Sequence, residues 1–94
     1  MAGPEATIER ACVAYAKRQG FWALKLLPSI TGLPDRLVIG PNKFIWFVEF
    51  KRPGGRQSKR QQMVIAALRR FGFLVSVIDN VGDFKNILLD RLSL

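Results

Sequence analysis

The chain has no histidine and a single cysteine. That removes most imidazole and thiolate metal sites and leaves no Ser-His or Cys-His nucleophile to assemble within it. Acidic residues are scarce too: seven Asp and Glu stand against 15 Lys and Arg, so acid, base or metal chemistry must fall to a few carboxylates and to lysines. No apolar run approaches the roughly 20 residues needed to span a bilayer, and the N-terminus lacks the apolar stretch of a signal peptide. A soluble, intracellular protein is expected. Pro, Gly and Ser are scattered and no internal repeat is present, which argues against disorder and low complexity. Cys12 lies among Ala11, Val13 and Ala14 in a helical pattern and reads as a packed core thiol.

What remains is a short, strongly basic chain. Its 94 residues suit one domain over 1–94, and a chain of this size buries only roughly 60% of the surface it exposes unfolded, so pairing into a dimer would help it. The net charge of +8 attracts polyanions before any specific contact forms, which makes nucleic acid the expected partner.

Ile8, Ala11, Cys12, Tyr15 and Ala16 recur at helical spacing and predict a helix over 5–19, with Pro4 and Thr7 near its start and Gly20 as its stop. Residues 21–27, between Gly20 and Pro28, suit a short strand, and 29–34 a loop. Residues 35–39 and 44–51 read as two strands joined by Gly40-Pro41-Asn42-Lys43, which predicts an antiparallel hairpin. The run Phe44-Ile45-Trp46-Phe47-Val48 has no polar face, so helices are expected to cover both sides of this strand. After the basic loop Arg52-Pro53-Gly54-Gly55-Arg56, Ser58 and Gln61 resemble a capping box that opens a helix running toward Gly72. Residues 73–78 read as a strand and 81–92 as a helix. The expected fold is α/β, in the order α-β-β-β-α-β-α, a mixed sheet flanked by helices.

The most apolar strand ends in a polar intrusion. Glu49 and Lys51 share one strand face, and burying such charges costs several kcal/mol each unless they are paired or bind metal. If Ile39 pairs with Phe44, Asp35 lies opposite Val48; if Gly40 pairs with Phe44, it lies opposite Glu49. The sequence leaves both registers open. In the second, the two carboxylates have Cβ atoms about 5 Å apart, near enough to share a cation and repulsive without one. Such a set suits Mg²⁺, which takes carboxylate oxygens, keeps waters and binds substrate phosphates, with Lys51 able to orient water or offset developing negative charge.

Taken in order, Gly32-Leu33-Pro34-Asp35, Val48-Glu49-Phe50-Lys51-Arg52-Pro53-Gly54-Gly55, Ser58 and Gln61 resemble the core of the PD-(D/E)xK nucleases, and specifically the virus-type replication-repair nuclease module, VRR-NUC. The resemblance spans nearly the whole chain and implies a restriction-endonuclease-like fold and phosphodiester hydrolysis dependent on Mg²⁺, with Mn²⁺ substituting and no organic cofactor. It implies Asp35, Glu49 and the Phe50 carbonyl as metal ligands, Lys51 as the catalytic lysine, and Gln61 as an active-site residue. Such families also place a glutamate on the first helix. Glu5 and Glu9 share a helical face and are both candidates; the distance from Glu9 to Gly20 resembles that in related junction-cleaving nucleases, a resemblance that favours Glu9, which would then also ligate metal.

Stand-alone modules of this kind resemble those of phages and prophages, acting in the cytoplasm of a bacterial host as homodimeric Holliday-junction resolvases on branched DNA. A flap or nicking nuclease is the alternative within the class, and a catalytically inactive basic DNA-binding module the alternative outside it. Arg52, Arg56, Lys59 and Arg60 form the expected DNA-contacting edge. Lys17, Arg18, Lys25, Arg69 and Arg70 read as general surface charge. Trp22, Trp46 and the phenylalanines are expected in the core, with Leu26, Leu27 and Ile30 available to a dimer interface.

Overall fold

The first helix, α1 (Pro4–Arg18), carries its buried Cys12, Tyr15 and Ala16 on one face. Then come β1 (Trp22–Lys25), β2 (Arg36–Gly40), β3 (Phe44–Phe50), α2 (Lys59–Arg70), β4 (Leu74–Ile78) and α3 (Val81–Leu92). This computed structural model describes residues 3–27 and 29–93. The sheet order is β1-β2-β3-β4, antiparallel between the first three strands and parallel between β3 and β4. It is the expected α/β arrangement, with boundaries moved by a residue or two. β1 is shorter than the expected 21–27, because Phe21 turns inward to meet the Phe44 ring edge-on at 5.7 Å. Pro28, the expected end of that segment, lies outside the described residues.

The hairpin register is settled by a single glycine. Gly40 pairs with Phe44, and a Cβ on Gly40 would lie 2.4 Å from the Phe21 ring, so only glycine admits that aromatic contact. The turn is Pro41–Lys43, with Asn42 and Lys43 at φ 58° and 61°, the left-handed region that Asn tolerates best. Arg36 consequently pairs with Val48, and Asp35, one step before it, falls across from Glu49.

The core is built on one face of the sheet. Val38, Phe44, Trp46, Val48 and Phe50 pack with Cys12, Tyr15 and Ala16 of α1 and with Phe84 and Leu88 of α3. The Trp46 and Phe84 rings lie 4.8 Å apart, and the Trp46 indole N–H donates to Ser76 Oγ at 2.9 Å, so the buried ring leaves no orphan donor.

On the opposite face the expected helical cover is present over only part of the sheet. Only α2 lies there, and its crossover joins β3 to the adjacent β4, which keeps it over that half of the sheet. Ile65 and Val75 are buried under it, apart from the main core. Trp22, Ile39 and Ile45 form a row across β1, β2 and β3 on the uncovered half, and Trp22 is 67% and Ile45 40% exposed. Trp22 is therefore not a core residue as expected, and Phe71 and Phe73 are exposed as well. Among the described residues, no helix is long and apolar enough to cross a membrane.

Candidate active site

Three ends meet where β3 leaves the sheet. The β2–β3 register brings Asp35 beside Glu49, and the Phe50 amide donates to Asp35 Oδ2 at 2.8 Å. Glu49 is 3% exposed and is the one buried charged residue among those described. Lys51, whose amide donates to the Ile78 carbonyl at 2.9 Å, sets its ammonium 3.2 Å from Glu49 Oε2. From α2, Gln61 Nε2 donates to the same oxygen at 2.9 Å.

Gln61 is aimed by the start of its own helix. Ser58 Oγ accepts from the Gln61 amide at 3.1 Å, and Gln61 Oε1 accepts from the Ser58 amide at 3.0 Å. Both halves of the capping box anticipated from Ser58 and Gln61 are thus present. With its oxygen held by the cap, the side-chain amide turns its N–H toward Glu49.

Burial, then the neighbouring Asp35 charge, push the Glu49 carboxyl up to about 7, against the hydrogen bond and charge of Lys51; Glu5 adds a smaller upward push. Two like charges at the closed end of a sheet favour a cation between them. Among the described residues no three acidic, histidine or cysteine side chains converge. Asp35 and Glu49 therefore offer a two-carboxylate donor set. It fits Mg²⁺, which keeps several waters and binds through one or two carboxylates plus substrate phosphates.

The two helix-one candidates part company. Glu5 is exposed on the first turn of α1, and its charge is felt at Glu49. Glu9, favoured by its distance from Gly20, turns to the sheet instead: its Oε2 lies 2.7 Å from Arg36 Nε and 3.3 Å from Lys25 Nζ. Partial burial raises its carboxyl, but the hydrogen bonds and charges of Arg36 and Lys25 outweigh that and hold it below the ordinary value. The geometry turns away from the preference for Glu9, and the physical reason is the β1–β2 register, which sets Lys25 directly opposite Arg36 and calls for an anion between them.

Arg52, Arg56 and Lys59 are exposed around the glycine loop, where the Gly55 amide donates to the Arg52 carbonyl at 2.9 Å and Gly54 takes φ +75°. Arg60, also exposed, commits its Nε to the Thr31 carbonyl at 3.0 Å, pinning the loop before Asp35 onto the start of α2. Lys25 and Thr31 were not distinguished by the sequence pattern. Their parts follow from pairings across the fold, and Lys25 had read as plain surface charge.

An α/β core of this topology, with carboxylates and a lysine at the end of a central hairpin, defines the restriction-endonuclease-like class. No family model matches the chain. A protein of Acyrthosiphon pisum secondary endosymbiont phage 1, named "Putative nuclease p44", is 39% identical over 85 residues, which is 89% of this chain and 90% of that protein. A solved VRR_NUC domain has a TM-score of 0.83 and 26% identity, over 93% of this chain and 96% of that structure. The chain belongs to the VRR-NUC family of nucleases.

Proposed function

We propose that the protein is a Mg²⁺-dependent endonuclease that hydrolyses phosphodiester bonds in branched DNA, working as a homodimer on four-way junctions. The observation that carries the metal-dependent reading is Glu49: a carboxylate buried beside Asp35, bridged to Lys51 at 3.2 Å and to Gln61 at 2.9 Å. A DNA-binding module has no need to hold two carboxylates where phosphates must come. Asp35 and Glu49, with the Phe50 carbonyl, would hold the metal. When bound, Mg²⁺, or Mn²⁺ in its place, neutralises phosphate charge and lowers the pKa of a bound water.

The chain's own groups do the rest. Gln61 fixes the orientation of the Glu49 carboxylate. The Lys51 ammonium, held at its edge, donates to a phosphate oxygen or to the attacking water. Arg52, Arg56 and Lys59 meet flanking phosphates, and Glu5 adds negative charge at the rim.

The homodimer is supported by an apolar groove of about 330 Å³ between the loop before Asp35 and α2, lined by Ile30, Leu33, Met63, Val64, Leu68 and Phe71. Phe71 is 73% exposed there, a patch of the kind that marks an interface. Since α2 also carries Gln61, a second copy seated on this groove would fix the separation of the two active sites. The phage relative supports a setting inside a bacterial host.

The test is cleavage of a labelled four-way junction beside flap and linear duplex substrates, with Mg²⁺, Mn²⁺ or EDTA, by wild type and Glu49→Ala. Paired, metal-dependent cuts in the junction that vanish in the variant are expected. Flap cutting or single nicks would reassign the substrate, and a wild type inert on every substrate would leave a basic DNA-binding module.

A further inference from the structure

We infer that Glu9 is a positioning residue, which locks the entrance of β2 and so the seat of Asp35, rather than a metal ligand. The inference rests on the reading of Asp35 and Glu49 as the metal site. Arg36 follows Asp35 directly and shares a face with Val38 and Val48, so its guanidinium points into the packed side of the sheet against α1. There it is opposed by Lys25 across the β1–β2 ladder. Like charges so placed repel, and a part-buried guanidinium is costly without a partner.

One carboxylate oxygen answers both needs. Glu9 Oε2 takes Arg36 Nε at 2.7 Å and Lys25 Nζ at 3.3 Å, while Arg36 NH1 donates to the Ala23 carbonyl at 3.1 Å. Elements α1, β1 and β2 are thereby joined at a single point, one residue from Asp35. Asp35 itself lies just before β2, so its place depends on its anchors: its carbonyl accepts from the Leu26 amide at 3.0 Å and its carboxylate from the Phe50 amide at 2.8 Å. Releasing Arg36 frees the flank on which those anchors depend. Orienting partners of this kind change metal affinity by about 10- to 100-fold when removed.

A ligand and a positioning residue differ in how they can be rescued. Mn²⁺ binding is measured by electron paramagnetic resonance and calorimetry for wild type, Glu9→Ala, Lys25→Ala and the double variant, with Glu49→Ala as the binding-null control and circular dichroism as the check on folding. The Nε–H resonance of Arg36 is followed by NMR without metal. Glu9→Ala is expected to weaken Mn²⁺ binding about tenfold and to shift the Arg36 Nε–H resonance. Adding Lys25→Ala should recover most of the affinity, because the uncompensated repulsion goes with it. Glu9→Gln, which keeps an acceptor for Arg36, should fall between wild type and Glu9→Ala. A loss in Glu9→Ala as complete as in Glu49→Ala and unchanged by Lys25→Ala would make Glu9 a ligand and overturn the inference. A wild type that binds no Mn²⁺ would instead sink the metal site itself, and this inference with it.

Discussion

Gln61 holds Glu49 with the same side-chain amide that caps its own helix: Nε2 donates to Glu49 Oε2 at 2.9 Å while Oε1 accepts from the Ser58 amide at 3.0 Å. The start of α2 and the buried carboxylate are therefore one unit, and the amide cannot rotate away from either without breaking a hydrogen bond.

Substitutions at Gln61 should separate the two duties. Gln61→Glu keeps a capping-box acceptor, so the start of α2 should hold, but it replaces the donor with a negative charge at buried Glu49, and the melting temperature without metal should fall at neutral pH. Cleavage at neutral pH should fall about 10- to 100-fold, in the range seen when orienting partners are lost. Gln61→Ala should lose both functions, with a further stability cost of about 1 kcal/mol from the broken cap. Thermal melts and initial cleavage rates on the same preparations decide it.

The Glu49 carboxyl gives the pH dependence its sign. Its ordinary value is 4.5 and burial beside Asp35 lifts it to about 7, so the folded state without metal prefers the protonated form. The stability this group lends is full below 4.5 and is lost as pH rises through about 7. Without metal, wild type should therefore lose stability relative to Glu49→Gln across that window. Metal needs the ionised form, so the rise in melting temperature on adding millimolar Mg²⁺ should be small at pH 5.5 and grow above pH 7. A Mg²⁺ effect independent of pH would count against Glu49 as a ligand.

Lys51 lies at the rim of the carboxylates, its ammonium 3.2 Å from Glu49 Oε2. Lys51→Ala should retain DNA binding, which the other cations of the +8 chain sustain, while cleavage drops about 10²- to 10³-fold. Gel-shift affinity in EDTA beside single-turnover cleavage in Mg²⁺ reads the two effects apart.

Gly40 offers a check on the hairpin that is independent of catalysis. A Cβ there would meet the Phe21 ring at 2.4 Å, so Gly40→Ala should cost about 1–3 kcal/mol through displacement of that ring. Pairing it with Phe21→Leu should recover part of the loss in denaturant titrations.

The exposed α2 groove bears on assembly. Phe71→Asp removes an apolar ring that is 73% exposed and should leave the monomer fold intact. Sedimentation at micromolar concentration is expected to show a dimer for wild type and a monomer for the variant, with paired junction cuts reduced to single nicks.

The sequence was most legible where the physics is local. Ser58 and Gln61 are three residues apart, and their reciprocal bonds follow from helix geometry alone. Glu49 and Lys51 stood out because two charges interrupt an apolar strand. What escaped was set by partners distant along the chain. The choice between the two hairpin registers turns on the Phe21 ring closing over Gly40, and Glu9 goes to Arg36 because Lys25 sits opposite. Trp22 resembles a core residue in composition, and only its place on an edge strand, beyond the reach of the single helix on that face, leaves it bare.

The amide of Lys51 is anchored on the Ile78 carbonyl, at the end of a strand that pairs in parallel with β3 only after the whole of α2 has been laid down. Parallel pairing of this kind closes a long loop and forms late. The two carboxylates are thus brought together by a short hairpin, whereas the lysine beside them is tied down only once a strand from beyond α2 has joined the sheet.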